Sequence, residues 1–143
     1  MDASVVLKWQ LDDEESVAQA VALRDDSLLY GRIGLGAPSI LTYELTNALL
    51  TATRQGRISQ HQAEEALAIL LHGGIRLIDV DPPRILSLSL RWKLSAYDGA
   101  YLAAAEKLDS EVWTGDRAFY TSCRRKGSRV RWIGDYSRSL RAR

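Results

Sequence analysis

The sequence holds one cysteine, Cys123, and two histidines, His61 and His72. A lone cysteine excludes an internal disulfide and fits a reducing compartment. Three such residues scattered along the chain show no zinc-ligand spacing, so any metal site must be built from oxygen. No apolar run approaches the roughly eighteen residues that cross a membrane. The opening residues lack a basic region followed by a long apolar one, so the expected location is cytoplasmic, with no membrane contact. There are no internal repeats and no Pro- or Ser-rich linker. The 143 residues therefore read as one domain, 1–143, large enough to bury its own core.

Charge is scarce only in sum. The formal net charge is +1. Residues 117–143 carry nine Lys or Arg and one acid, Asp135, a net of +8. Residues 1–116 carry ten bases and seventeen acids, a net of −7. An acidic body can hold cations, and a basic quarter can attract a polyanion. The last seven residues, SRSLRAR, also read as a solubilising tail. Arg117, Arg124, Arg125, Lys126, Arg129 and Arg131 lie within expected elements instead.

Along the chain, helical and extended patterns alternate. MDASVVLKWQL reads as a turn or two of helix. DDEESVAQAVALRDD reads as a helix with acids in its first turn, where the dipole favours them, and Val17, Ala20, Val21 and Arg24 at helical spacing. SLLYGRIGLG is a loop, and Ala37–Ile40 is extended. Leu41 to Gln55 is a helix stopped by Gly56. Ser59 and Gln62 form a capping box for a helix with Ala63, Ala66, Leu67, Leu70 and Leu71 on one stripe. IRLIDV is a strand, Pro82-Pro83 opens a helix to about Leu94, and Ser95 opens the next. EVWT is a strand, Arg117–Arg125 a short helix, and RVRWI a last strand. This order favours an α/β fold with a parallel sheet covered on both faces. Sites in such folds lie beyond the carboxyl ends of strands, which is where Asp116 falls.

Four acids are candidate ligands. Three have an ordinary structural role available. Ser95-x-x-Asp98 fits a capping box, Asp116 can cap the helix after it, and Asp2 can cap the first turn. Glu44 is different. Its helix has the apolar stripe Leu41, Leu45, Ala48, Leu49 and Ala52, and Glu44 faces the same way. An inward carboxylate needs an arginine partner, a helix end near solvent, or a cation. Asp98 shares its face with Tyr101, Leu102 and Ala105. If Asp2, Glu44, Asp98 and Asp116 converge, they repel one another, and a divalent cation relieves that. Oxygen ligation suits Mg²⁺ or Mn²⁺, which would activate water against a phosphodiester. Arg117, Arg124, Arg125 and Lys126 would then hold a nucleic-acid backbone. The run Asp12 to Glu15 reads as a solvated face, Glu64 and Glu65 lie opposite their helix's stripe, and Asp79 and Asp81 are decoys after a strand. Cys123 has no base partner that would make it a nucleophile.

The pieces DASVVLKW, PSILTYELTNAL, SAYDGAYLAAAEKL and TGDRAF occur in this order over nearly the whole chain. Together they resemble PIN domains, and within them the VapC-like (virulence-associated protein C) ribonuclease toxins of toxin–antitoxin pairs. The resemblance implies a three-layer α/β/α fold around a central, mostly parallel sheet. It implies that Asp2, Glu44, Asp98 and Asp116 bind Mg²⁺ or Mn²⁺ and catalyse RNA hydrolysis, with the hydroxyls of Ser4 and Thr114 beside them. It also implies a homodimer held in check by an antitoxin protein. One departure concerns the family's middle strand, which leads into the first Asp. Only Met1 precedes Asp2 here, through a late-assigned start, a trimmed chain or a lost strand. The alternative readings are a catalytically silent PIN-like protein-binding module, a DNA-directed nuclease, and a phosphoacceptor domain. The last lacks the lysine it needs just after a late strand.

Overall fold

The structure is a computed structural model in which residues 1–137 are described. Six of the seven residues of the SRSLRAR tail lie outside them. Among the described residues the elements are α1 (Ala3–Leu7), α2 (Val17–Leu28), β1 (Gly36–Pro38), α3 (Ile40–Arg54), α4 (Gln60–Leu71), β2 (Arg76–Ile78), α5 (Pro82–Trp92), α6 (Ala96–Lys107), β3 (Val112–Thr114), α7 (Arg117–Ser122) and β4 (Val130–Trp132), closed by a short 3₁₀ turn, Ile133–Asp135. The class is α/β with parallel strands. No helix among the described residues is long and apolar enough to cross a membrane.

The parallel pairing expected from the sequence is present, as two ladders among the described residues. β1 pairs with β2, Gly36 opposite Arg76, and β3 pairs with β4, Val112 opposite Val130. The strands are three residues long, and no ladder joins β1 to β3 among the described residues. At the outer edge of β3 the N–H of Asp2 donates to the carbonyl of Trp113 at 3.1 Å. The chain then turns at once into α1, because the Asp2 carboxylate accepts from the N–H of Val5 and caps that helix.

The helices follow from their caps. Ser59 and Gln62 make the expected capping box of α4. Asp81 caps α5 ahead of Pro82 and Pro83, and Lys93 ends it in the left-handed region. Ser95 caps α6 by accepting from the N–H of Asp98. α6 is buried on nearly all sides from Gly99 to Ala105. Its small residues let it pack closely on α5: a Cβ at Gly99 would lie 2.1 Å from Ser89 Oγ. The core joins Val5, Val6, Leu23, Leu41, Leu45, Leu70, Phe119 and Ile133. The indole N–H of Trp9 donates to the carbonyl of Ala20 at 3.0 Å and ties α1 to α2.

Several boundaries differ from the sequence reading. The acids before α2 do not occupy its first turn, since the helix starts at Val17 after Ser16 in the left-handed region. Loop ion pairs hold them out: Asp13 accepts two bonds from Arg57 at 2.8 Å, and Glu15 accepts from Arg117 at 3.0 Å. The buried face of α2 is Ala20, Leu23 and Asp26, and Val17, Val21 and Arg24 are only partly covered. Asp26 is satisfied by Arg32 at 2.9 Å and by the hydroxyl of Tyr136 at 2.8 Å. In α4, Ala66 and Leu70 are buried one turn apart, while Leu71 is turned about 100° away and is 51% exposed. α7 stops at Ser122, three residues short of Arg125.

Candidate functional site

The site is laced together by two hydroxyls. Asp2 is 6% exposed. Its Oδ1 accepts from Ser4 Oγ at 2.5 Å and from the N–H of Val5 at 3.3 Å. Its Oδ2 accepts a short bond from Thr114 Oγ1. Each hydroxyl also accepts a backbone bond from the turn after β3. Ser4 Oγ takes the N–H of Gly115 at 2.7 Å, and Thr114 Oγ1 takes the N–H of Asp116 at 2.9 Å. α1 is thereby fastened to the β3–α7 turn. Burial pushes the Asp2 carboxyl above the usual range, against the pull of Ser4, Thr114, the Met1 ammonium and the Val5 N–H. Burial also pushes the Met1 ammonium down. Gly115 leaves room for a neighbour on this turn, as a Cβ there would lie 2.8 Å from Lys8 Cε and 3.3 Å from Ser4 Oγ.

Glu44 sits half-buried on α3, as its spacing predicted. Its partner is not an arginine. The hydroxyl of Tyr101 donates to Oε2 at 2.5 Å. Burial raises the Glu44 carboxyl, the Tyr101 bond lowers it, and the charges of Asp2 and Asp98 raise it further. Burial and the Glu44 carboxylate together hold the Tyr101 phenol far above its ordinary range. Asp98, in the first turn of α6, is raised by burial, lowered by the Ser95 hydroxyl, and raised by the charge of Asp116. Asp116 caps α7, with Oδ1 accepting from Ala118 at 2.7 Å and from Phe119 at 3.1 Å.

The four acids thus form an electrostatically coupled series, Asp2 to Glu44 to Asp98 to Asp116. Among the described residues, no side-chain cation acts on Glu44 or Asp98 to offset it. As the side chains stand, no three His, Cys, Asp or Glu groups among the described residues are placed to hold a metal ion directly. The donor chemistry is all-oxygen, and each acid is fixed by a cap or a hydroxyl. That suits a hydrated hard cation held through few carboxylates and several waters, rather than a closed protein cage.

The four basic candidates are not equivalent. Arg117 is paired with Glu15 and lies over the Trp132 ring, 5.0 Å from its centroid. Arg125 lies 5.7 Å over Trp92. Arg124, Arg125 and Lys126 line a recess of about 280 Å³ with Tyr120, Cys123 and Trp132. The Cys123 thiol is pushed up to about 11 by burial and then by the charge of Asp98, so it is an inert group at the edge of the acidic series.

Two residues of the site escaped the sequence reading. Tyr101 was placed on the inward face of α6 but not assigned to Glu44. Lys8 is 5% exposed and pairs with Glu14 at 3.4 Å. Its position four residues after Ser4 is the signal that could have placed it against the same turn.

Thr114→Val tests the lacing. It keeps the shape of a fully buried side chain and deletes a donor to Asp2 and an acceptor for Asp116. The expected cost is about 1–2 kcal/mol, read as a lower denaturant midpoint, with Thr114→Ser near wild type. Equal midpoints for all three would mean that these bonds contribute nothing.

No family model and no curated protein matches the chain. Among solved structures it is similar to the crystal structure of PAE2754 from Pyrobaculum aerophilum. The identity is 22%, the match covers 92% of this chain and 87% of that one, and the TM-score is 0.64. The likeness extends over nearly the whole chain and is one of fold.

Proposed function

We propose that this chain is a PIN-like, Mg²⁺- or Mn²⁺-dependent endoribonuclease, of the kind that serves as the toxin of a type II toxin–antitoxin pair. The observation that carries the reading is the coupled series Asp2, Glu44, Asp98 and Asp116, held by caps and hydroxyls with no offsetting side-chain cation among the described residues on its middle members. Such an arrangement raises carboxyl pKa values and is relieved by a bound divalent ion. When bound, the ion would supply an activated water and neutralise charge on the scissile phosphate. The chain's own part is to fix the acids. Ser4 and Thr114 orient Asp2, Tyr101 orients Glu44, Ser95 starts the helix that carries Asp98, and α7 fixes Asp116. Arg124 and Lys126 are the cations best placed to meet an RNA backbone, and Arg117 could join them by exchanging its exposed partner Glu15, because exposed pairs are weak.

The same reading brings a three-layer arrangement around a central sheet, a homodimer, an antitoxin partner and a cytoplasmic setting. Exposed apolar side chains such as Tyr43, Leu86, Leu90 and Tyr97 supply surface for protein contacts.

The test is cleavage of a labelled RNA with Mn²⁺ or Mg²⁺, with EDTA as control. Wild type is expected to cut, and Asp98→Asn and EDTA-treated wild type are not. Equal cutting by Asp98→Asn would remove Asp98 from the chemistry. A catalytically silent binding module is the second reading, favoured because no three directly convergent ligands stand among the described residues. It predicts no cleavage and no Mn²⁺-linked rise in melting temperature.

A further inference from the structure

The loop between α1 and α2 holds four acids in a row, Asp12, Asp13, Glu14 and Glu15, and all four are exposed. The last two reach cations beside the Gly115–Asp116 turn. Glu14 accepts from Lys8 Nζ at 3.4 Å, and Glu15 accepts from Arg117 at 3.0 Å. Arg57, just past α3, holds the loop from elsewhere, pairing with Asp13 at 2.8 Å and with Glu14 at 3.5 Å. Glu14 therefore shares two cations and keeps Arg57 if it leaves Lys8.

Lys8 is the unusual member. Its side chain is 5% exposed, and that of Glu14 is 40% exposed. A buried ammonium carries three N–H donors that need acceptors. Its acceptor among the described residues is Glu14. The 3.4 Å separation is long beside the roughly 2.7–2.9 Å of a good charge-assisted bond. The ammonium also lies against the turn after β3. A Cβ at Gly115 would lie 3.4 Å from Lys8 Nζ and 3.3 Å from Ser4 Oγ, the hydroxyl that holds Asp2. Lys8 thus packs on the residue before Asp116, and Arg117 is the residue after it. Arg117 and Glu15 are both more than two-thirds exposed, and such pairs contribute little. One loop therefore covers both cations, through contacts that are long or exposed, beside the acidic series.

We propose that Lys8 and Arg117 form a phosphate clamp around the Gly115–Asp116 turn, and that Glu14 and Glu15 occupy it as carboxylate stand-ins until an RNA backbone displaces them. Carboxylates and phosphates accept the same N–H bonds from ammonium and guanidinium groups. Displacement leaves Glu14 with Arg57, returns Glu15 to water, and gives the Lys8 ammonium a strong acceptor. The mask also selects for length. Tethered carboxylates act at high local concentration, so a single small anion competes poorly. A strand that meets Lys8, Arg117, Arg124 and Lys126 together overcomes them by gaining several contacts at once. The clamp rests on the nuclease reading in taking RNA as the polyanion.

The experiment measures binding of a fluorescein-labelled RNA oligonucleotide to the full chain in EDTA, so that the clamp is read apart from metal-dependent cutting. Glu14→Gln/Glu15→Gln is expected to bind about tenfold tighter than wild type. Glu64→Gln/Glu65→Gln on α4 makes the same change in net charge and is expected to shift Kd by about twofold or less, because distant exposed charges are screened. In a double-mutant cycle, Lys8→Met removes the gain from Glu14→Gln. Arg117→Gln, at an exposed side chain, gives the same cycle with Glu15→Gln and carries the test if Lys8→Met does not fold. Four results each overturn the clamp: no RNA binding by the unmasked variant, affinity unchanged or lowered in it, an equal gain from the α4 pair, or a gain that survives loss of the cation. Tighter binding without any cutting in Mn²⁺ upholds the clamp and removes the nuclease reading; cutting without tighter binding does the reverse.

Discussion

Glu44→Gln is expected to make the protein more stable and far less active. Glutamine keeps the size of the side chain and an oxygen to accept the Tyr101 hydroxyl, which now donates at 2.5 Å. What it loses is a charge. That charge is raised in energy by burial and by Asp2 and Asp98, and no side-chain cation among the described residues offsets it. Removing it without metal should raise stability by about 1 kcal/mol, or a few degrees of melting temperature. If the charge is there to hold a catalytic cation, RNA cleavage falls by about a hundredfold or more. Opposite signs in the two readouts separate a functional acid from a structural one, because a structural acid should lose stability. Glu44→Gln that melts lower than wild type and cuts RNA normally would refute the assignment.

Melting temperature should also respond to pH and metal in a linked way. Asp2, Glu44 and Asp98 all have carboxyl pKa values raised in the folded state. The fold therefore binds their protons more tightly than the unfolded chain does. Their contribution is fully present below the ordinary carboxyl pKa of about 4 and is lost as pH rises through the raised values. Asp13 and Glu106, lowered by Arg57 and Arg84, act only at the acid end of the scale. The Met1 ammonium opposes the trend, because its lowered pKa favours the fold as pH rises toward 8. The clean readout is thus the difference between wild type and Glu44→Gln, which share that terminus. Wild type should lose more stability than the variant between pH 5 and 7.5. Mn²⁺ at about a hundred times its Kd should raise the melting temperature by roughly 10 °C at pH 7.5, and less at pH 5, where protons compete. A rise that is the same at both pH values, or absent, would mean that the acids do not hold the ion.

Much of this arrangement was legible in the sequence, because caps and helical spacing are local. Ser59 with Gln62, Ser95 ahead of Asp98, and the inward turn of Glu44 all depend on residues within one or two turns. The misreadings came from distant partners. Arg57 and Arg117 hold Asp13 and Glu15 in a loop, so these acids never reach the first turn of α2. Tyr101 lies 57 residues from Glu44, and no spacing rule joins them. The parallel pairing was legible from alternation, but the division into two pairs was not. Strand patterns show which segments are extended and not which edges meet.

The lacing of Asp2 to Thr114 has a consequence in time. Those partners are 112 residues apart, Ser4 and Gly115 are 111 apart, and Asp26 and Tyr136 are 110 apart. Contacts of such sequence separation form late, because a long loop must close before any of them is rewarded. On the ribosome, at roughly 5–20 residues per second, the 112 residues from Asp2 to Thr114 must be made before Asp2 can meet its hydroxyl partner on β3. The acidic series is therefore assembled only after Asp116 has been made, and a shorter nascent chain carries its pieces without the whole.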